Sequence, residues 1–141
     1  MNETMPSMTA PAPQVDESLI TYTHVIYALH ALAVLIGLTT FHTVVLSFVG
    51  GLPSIVAVIM NYARRSATVG TFLESHFRWQ IRTFWFAVLW SVVIWAVSVP
   101  LMLILIGIPL FIVSHLALGV WIAYRVVRGW LALKDQRPMY V

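Results

Sequence analysis

Two long stretches of this chain carry no Asp, Glu, Lys or Arg: residues 19–63, 45 in all, and residues 83–124, another 42. At about 1.5 Å of rise per residue, either would exceed 60 Å as one helix, roughly twice the 30 Å hydrocarbon core of a bilayer. Each is read as a helical hairpin that crosses and returns, so the predicted fold is all-α: a polytopic bundle of two hairpins with about four spans. In the first stretch the turn is placed at Thr39 to Thr43, leaving arms at about 20–38 and 44–62. Gly50, Gly51 and Pro53 offer a competing break, but turning there leaves an arm of about ten residues, too short to span. They are read as a kink. In the second stretch Gly107-Ile108-Pro109 is the expected turn, with arms at about 83–106 and 110–127 and Pro100 bending the first of them.

Composition agrees with lipid as the solvent. The 141 residues are 60% hydrophobic and 9% charged, where a soluble domain has about a quarter of its residues charged. A soluble fold of this size lacks the interior to hide so much apolar surface. With no cysteine, a disulfide framework, a thiolate metal site and a cysteine nucleophile are all excluded.

Charge sets the orientation. The eight Lys and Arg fall in two places: Arg64, Arg65, Arg78 and Arg82 between the hairpins, and Arg125, Arg128, Lys134 and Arg137 after the second. Both places are expected to be cytoplasmic, which an even number of crossings between them allows. Residues 1–18, rich in Pro, Ser, Thr and Met and without a basic residue, read as a disordered tail and not as a signal peptide. Residues 131–141 read as a cytoplasmic tail. If the first uncharged stretch crosses twice, the N-terminal tail is cytoplasmic; if it crosses once with a re-entrant half-helix, the tail lies outside.

Between the hairpins, residues 64–82 alone are patterned like soluble protein. Thr71 and Glu74 fit a capping box opening a helix at about 71–82, with Glu74, Arg78 and Arg82 on one face and Phe72, Leu73, Phe77 and Ile81 on another. Such a helix is expected in the membrane interface, apolar side among the acyl chains and arginines toward lipid phosphates. It is an anchored connector or a docking surface for another protein; its candidate contact residues are Glu74, His76, Arg78, Gln80 and Arg82, with Arg125 and Arg128 after the second hairpin.

The run GTFLESHFRWQIRTFW from Gly70 to Trp85, preceded by VIMNY (Val58 to Tyr62) and followed by YRVVRGW (Tyr124 to Trp130), resembles the Tic20-like family of small bacterial membrane proteins of unknown function. The resemblance covers about residues 25–138, and its specific part is the stretch around Glu74, His76, Arg78 and Gln80. It implies a compact helical bundle in a bacterial inner membrane. The family's namesake belongs to the protein import machinery of the chloroplast inner envelope, and carrying translocation over to this chain would be analogy at the level of the fold.

Candidate chemistry is sparse. His30 and His115 are placed about eight and five residues from their respective turns, so with both turns on one side their depths would differ by only about 5 Å, and paired imidazoles at membrane depth suit a b-type haem or a proton relay. Alternatively each bonds a neighbouring carbonyl or hydroxyl, with His42 in the turn and His24 near the interface. No metalloprotease, nucleophile-elbow, Walker or dinucleotide motif occurs, and no Asp or Glu lies within the spans to act as acid or base. An enzyme, a bound cofactor and a metal site are therefore not expected. Trp79, Trp85, Trp121 and Trp130 fall near interfaces, and Trp90 and Trp95 deeper. The basic residues are too few and too close to the membrane for nucleic acid, which leaves anionic lipid headgroups as their ligand. The leading functional expectation is a non-enzymatic accessory or assembly component binding another membrane protein. A small transporter or channel component acting as a homo-oligomer and a haem-binding protein stand as alternatives.

Overall fold

A computed structural model describes residues 14–39 and 44–140, with the backbone alone for 44–50. Among these, the chain forms four α-helices and no strand: α1 (Glu17–Thr39), α2 (Val44–Arg64), α3 (Phe72–Leu101) and α4 (Gly107–Lys134), with 3-10 turns at Arg65–Thr68 and Met102–Ile104. The fold is all-α. Helix α1, helix α3 with the turn that follows it, and helix α4 are each long and apolar enough to cross a membrane, and the chain is a membrane protein.

Helix α1 begins inside the stretch expected to be tail. The Asp16 carboxylate accepts the backbone N–H of Ser18 at 2.9 Å and its hydroxyl at 2.7 Å, while the Asp16 carbonyl takes the N–H groups of Leu19 and Ile20. Asp16 thus caps the helix, and the Ser18 bonds hold its carboxyl below the usual carboxylate range. Residues 1–13 lie outside the described residues, as do 40–43, where the first turn and His42 were placed. Helix α2 continues unbroken through Pro53.

Two boundaries differ from the sequence reading. The expected interfacial helix at about 71–82 is no separate element: α3 runs through it and onward as one helix of 30 residues. Nothing between Arg82 and Thr83 breaks helical geometry, and the face that includes Leu73, His76, Phe77 and Gln80 is buried in the protein instead of lying on lipid. The capping box does not form. Glu74 reaches back to the Gly70 N–H at 3.1 Å, but the Thr71 hydroxyl bonds the Thr68 carbonyl at 2.7 Å and caps nothing in α3. In the second hairpin the turn falls at 102–106, where Leu105 takes a positive φ of 63°. Gly107-Ile108-Pro109 opens α4 instead, because proline is tolerated in a helix's first turn, where its missing N–H has no intrahelical acceptor.

Both hairpins are antiparallel, but they are not level. Tyr27 on α1 lies against Gly129 on α4, and eleven residues on along α1 Leu38 lies against Gly119, ten residues back along α4. The two helices therefore run side by side in step. Since α1 ends at Thr39 while α4 continues twelve residues beyond Gly119 to Gly107, the α3–α4 hairpin overhangs α1 by about 18 Å. Equal depth was the expectation; a stagger is the finding.

Burial divides along the same line. Leu19, Tyr27, Leu73, Val126 and Leu133 form one buried cluster and Ile26, Ala57 and Phe77 a second; a leucine as fully enclosed as Leu73 contributes about 2–3 kcal/mol. All of these belong to the end that carries the arginines. From Phe84 to Arg125 only Ser98 and Gly107 are buried. The molecule is thus a packed four-helix head, with α3 and α4 continuing as a bare apolar two-helix stem.

Candidate functional site

The head is pinned by polar side chains, among them His76 and Arg125, which the sequence reading placed among interfacial or partner contacts. Leu73, His76, Phe77, Gln80 and Thr83 recur at three- and four-residue intervals on α3, so they share one face, and that face is buried. His76 has no exposed surface. Its Nε2 lies 2.8 Å from the carbonyl of Arg137 and its Nδ1 2.8 Å from the Tyr27 hydroxyl. A carbonyl only accepts, so Nε2 bears the proton and donates it; Nδ1 is then the acceptor and the Tyr27 O–H donates. One imidazole in this way ties α1, α3 and the segment after α4 together, with the Tyr27 ring edge-on at 5.9 Å and Phe72 at 6.0 Å. Gly129 makes room for it: a Cβ there would lie 2.5 Å from the Tyr27 oxygen.

Around this centre the remaining ties also join elements distant in sequence. Trp130 donates its indole N–H to His24 Nδ1 at 2.9 Å, and the Met139 N–H bonds the Ser75 hydroxyl at 2.9 Å. Tyr22 donates to the Met60 carbonyl at 3.0 Å while the Arg64 guanidinium lies 5.6 Å from its ring centre. Trp79 donates to the Arg125 carbonyl at 3.1 Å, and the same residue's guanidinium stacks 3.6 Å from the Trp79 ring centre and 5.1 Å from Trp121, with its Nε bonded to the Thr83 hydroxyl at 2.7 Å. The aromatic faces replace part of the hydration a half-buried guanidinium loses, each worth about 0.5–2 kcal/mol.

The predicted candidates thus separate. Glu74 and Arg78 form the i, i+4 pair at 3.1 Å on the exposed face, where such a pair is worth about 0.3–0.5 kcal/mol. Arg82 and Arg128 are exposed, Arg128 bonding the Tyr124 hydroxyl at 3.0 Å. His76, Gln80 and Arg125 face inward instead, because the face that the arginines leave free is the one the head needs for packing. Gln80 and Asn61 are buried to 2% and 0% exposure, and neither amide has a hydrogen-bond partner among the described residues.

Stagger also undoes the histidine pair. His30 lies eight residues before Leu38 and His115 four beyond Gly119, which separates them by about 18 Å along the bundle in place of about 5 Å. His30 Nδ1 instead meets the Ser54 hydroxyl at 3.1 Å, and His115 Nδ1 takes a bond with the Phe111 carbonyl at 3.0 Å. Among the described residues no three His, Cys, Asp or Glu gather as metal ligands.

Tyr27, Ser75, Thr83, Gly129 and Trp130 were missed. The available signal was spacing: Thr23, Tyr27 and His30 on α1 repeat every three or four residues, as do His76, Gln80 and Thr83 on α3, and all six are buried. Comparison with family models, with curated proteins and with solved structures finds no match to this chain.

Proposed function

We propose that the chain is a non-enzymatic accessory or assembly component of a bacterial inner membrane, anchored by the α3–α4 stem and holding another membrane protein against the α1–α2 side of its head. The placement of the bilayer comes first. From Tyr124 back to Leu105 is twenty uncharged residues, about 30 Å of helix, the thickness of a hydrocarbon core. Centring the bilayer on α1 instead would bring Arg125 and Arg128, level with Leu32 and Leu29, near the midplane, with Arg78 and Arg82 beside them. At about 2.5–3.5 kcal/mol each on insertion scales, four such cations cost on the order of 10 kcal/mol. The stem therefore spans twice, and the end of α1, with Leu38 level with Gly119, lies only about 8 Å below Tyr124. The basic head is cytoplasmic by the distribution of Lys and Arg.

One observation carries the partner. Ile59 is 60% exposed and its neighbours Ile55, Val56 and Tyr62 are exposed too, yet Met60 bonds Tyr22 and Ser54 bonds His30. Through these bonds Ile55, Val56 and Ile59 stand level with or outside the arginines, beyond the reach of acyl chains, while Tyr62 reaches the stem, its hydroxyl accepting the Trp85 indole N–H at 3.1 Å. An apolar patch in that position marks a protein contact, and the apolar helix of another membrane protein fits it. The Tic20-like resemblance of residues 70–85 is compatible with this reading and adds no partner. Both ring nitrogens of His76 are engaged in bonds that tie the head together, which supports a structural role for the central imidazole.

A photo-crosslinking residue at position 59 tests the proposal in membranes of living cells. The expected product is one adduct with a defined membrane protein, absent when the crosslinker sits at Leu103 and lost on Val56→Asp. Lipid adducts alone, or an adduct of twice the chain's own mass, would reject it. A second reading, a small transporter component, rests on the unpartnered buried amides of Asn61 and Gln80; it requires solute flux into liposomes that Gln80→Leu abolishes.

A further inference from the structure

The geometry points to a specific site for one anionic phospholipid in the groove between α4 and the segment after it. The groove encloses about 900 Å³. Its lining is mostly apolar and includes the exposed Val120, Val127 and Leu131, together with Arg128, Arg137 and Tyr140. The wall opposite α4 is fixed in place: Gln136 turns the chain back with a φ of 52°, the Arg137 carbonyl is held by His76, and the Met139 N–H by Ser75. A groove built by long-range bonds keeps its shape whether or not it is filled.

Depth matches a lipid. Arg128 lies one helical turn outside Tyr124, the last residue of the uncharged stem, which is headgroup height, and Val120 lies two turns below Arg128, at acyl height. Charge matches as well. Among the described residues Arg128 has no carboxylate partner; it donates to the Tyr124 hydroxyl and lies 6.0 Å from the Trp79 ring centre. Arg137 is bonded to Asp135 through NH2. A headgroup phosphate between the two guanidinium groups takes up donors that Arg128 has free and that the Asp135 pair leaves over on Arg137, while one acyl chain follows Val127 and Val120 into the bilayer. The inference rests on the placement of the stem in the bilayer and is independent of any protein partner.

Native mass spectrometry of the protein released from nanodiscs of equal phosphatidylglycerol and phosphatidylcholine tests it. The expected spectrum shows one retained phosphatidylglycerol, not displaced by millimolar glycerol phosphate, which separates a lipid from a free phosphate. Near a membrane surface each arginine is worth about 1 kcal/mol, roughly a fivefold change in occupancy. Arg128→Gln is therefore expected to lower retention about fivefold, and Arg78→Gln to leave it unchanged. Leu131→Trp, which blocks the groove at an exposed position without touching a charge, is expected to lower retention too. Equal retention of both lipids would overturn the specific site, retention of neither would overturn the depth assignment beneath it, and unchanged retention in Arg128→Gln and Leu131→Trp would place the lipid elsewhere.

Discussion

Changing His76 to alanine is expected to lower the thermal unfolding midpoint in mild detergent by about 10 °C. The substitution removes a buried hydrogen bond to the Tyr27 hydroxyl and a half-buried one to the Arg137 carbonyl, and opens a void beside Tyr27 and Phe72. An orphaned buried polar group costs about 1–3 kcal/mol and the void adds to it, so a total near 3 kcal/mol is reasonable. For a chain of this length that converts to the stated shift. Tyr27→Phe, which strips one donor and keeps the ring, is expected to cost about a third as much. A His76→Ala protein that unfolds within about 2 °C of the wild type would mean that the imidazole does not hold the head together.

Glycine-to-alanine changes at two positions of α4 are expected to diverge sharply. At Gly107 a Cβ would lie 2.2 Å from the Ser98 carbonyl oxygen and 2.3 Å from the Met102 nitrogen, both backbone atoms of the opposing helix end and turn. Backbone cannot step aside as a side chain does, so the hairpin must open and Gly107→Ala is expected to cost about 3 kcal/mol or more. At Gly119 the close atoms among the described residues belong to Leu38, its Cδ2 2.9 Å away at the end of a flexible side chain. The helix gains about 1 kcal/mol of propensity from alanine there, which offsets the adjustment of Leu38. Denaturation of the two variants side by side gives the answer; equal costs would mean that the close approach of Gly107 to the turn does not shape the hairpin.

Much of the helical content was legible because absence of charge over 45 and 42 residues admits few alternatives in a chain this apolar. What could not be read was the relative height of the hairpins. Height is set by which residues meet across helices, by Tyr27 entering the space left by Gly129 and by Leu38 meeting Gly119, and periodicity within one helix carries no such information. The same gap misplaced His30 against His115. The reading of residues 71–82 as a separate helix with its apolar face among acyl chains went wrong for a different reason. Arg78 and Arg82 mark the exposed face correctly, but the face bearing Leu73 and Phe77 looks the same whether lipid or protein covers it. His76 and Gln80 within that face were the discriminating signal, since polar groups with several hydrogen-bonding atoms seek protein partners more than acyl chains. Gly107-Ile108-Pro109 was recognised as a break, yet the turn forms just before it, because proline fits the first turn of a helix as well as it ends one.

The claim on which the account turns is that only the α3–α4 stem crosses the bilayer. The chain has no cysteine, so single cysteines can be labelled without background. A membrane-impermeant maleimide added to the side opposite the arginines is predicted to label Leu105→Cys and to leave Thr39→Cys untouched. Labelling of Thr39→Cys from the same side as Leu105→Cys would show that α1 spans as well and would contradict the account.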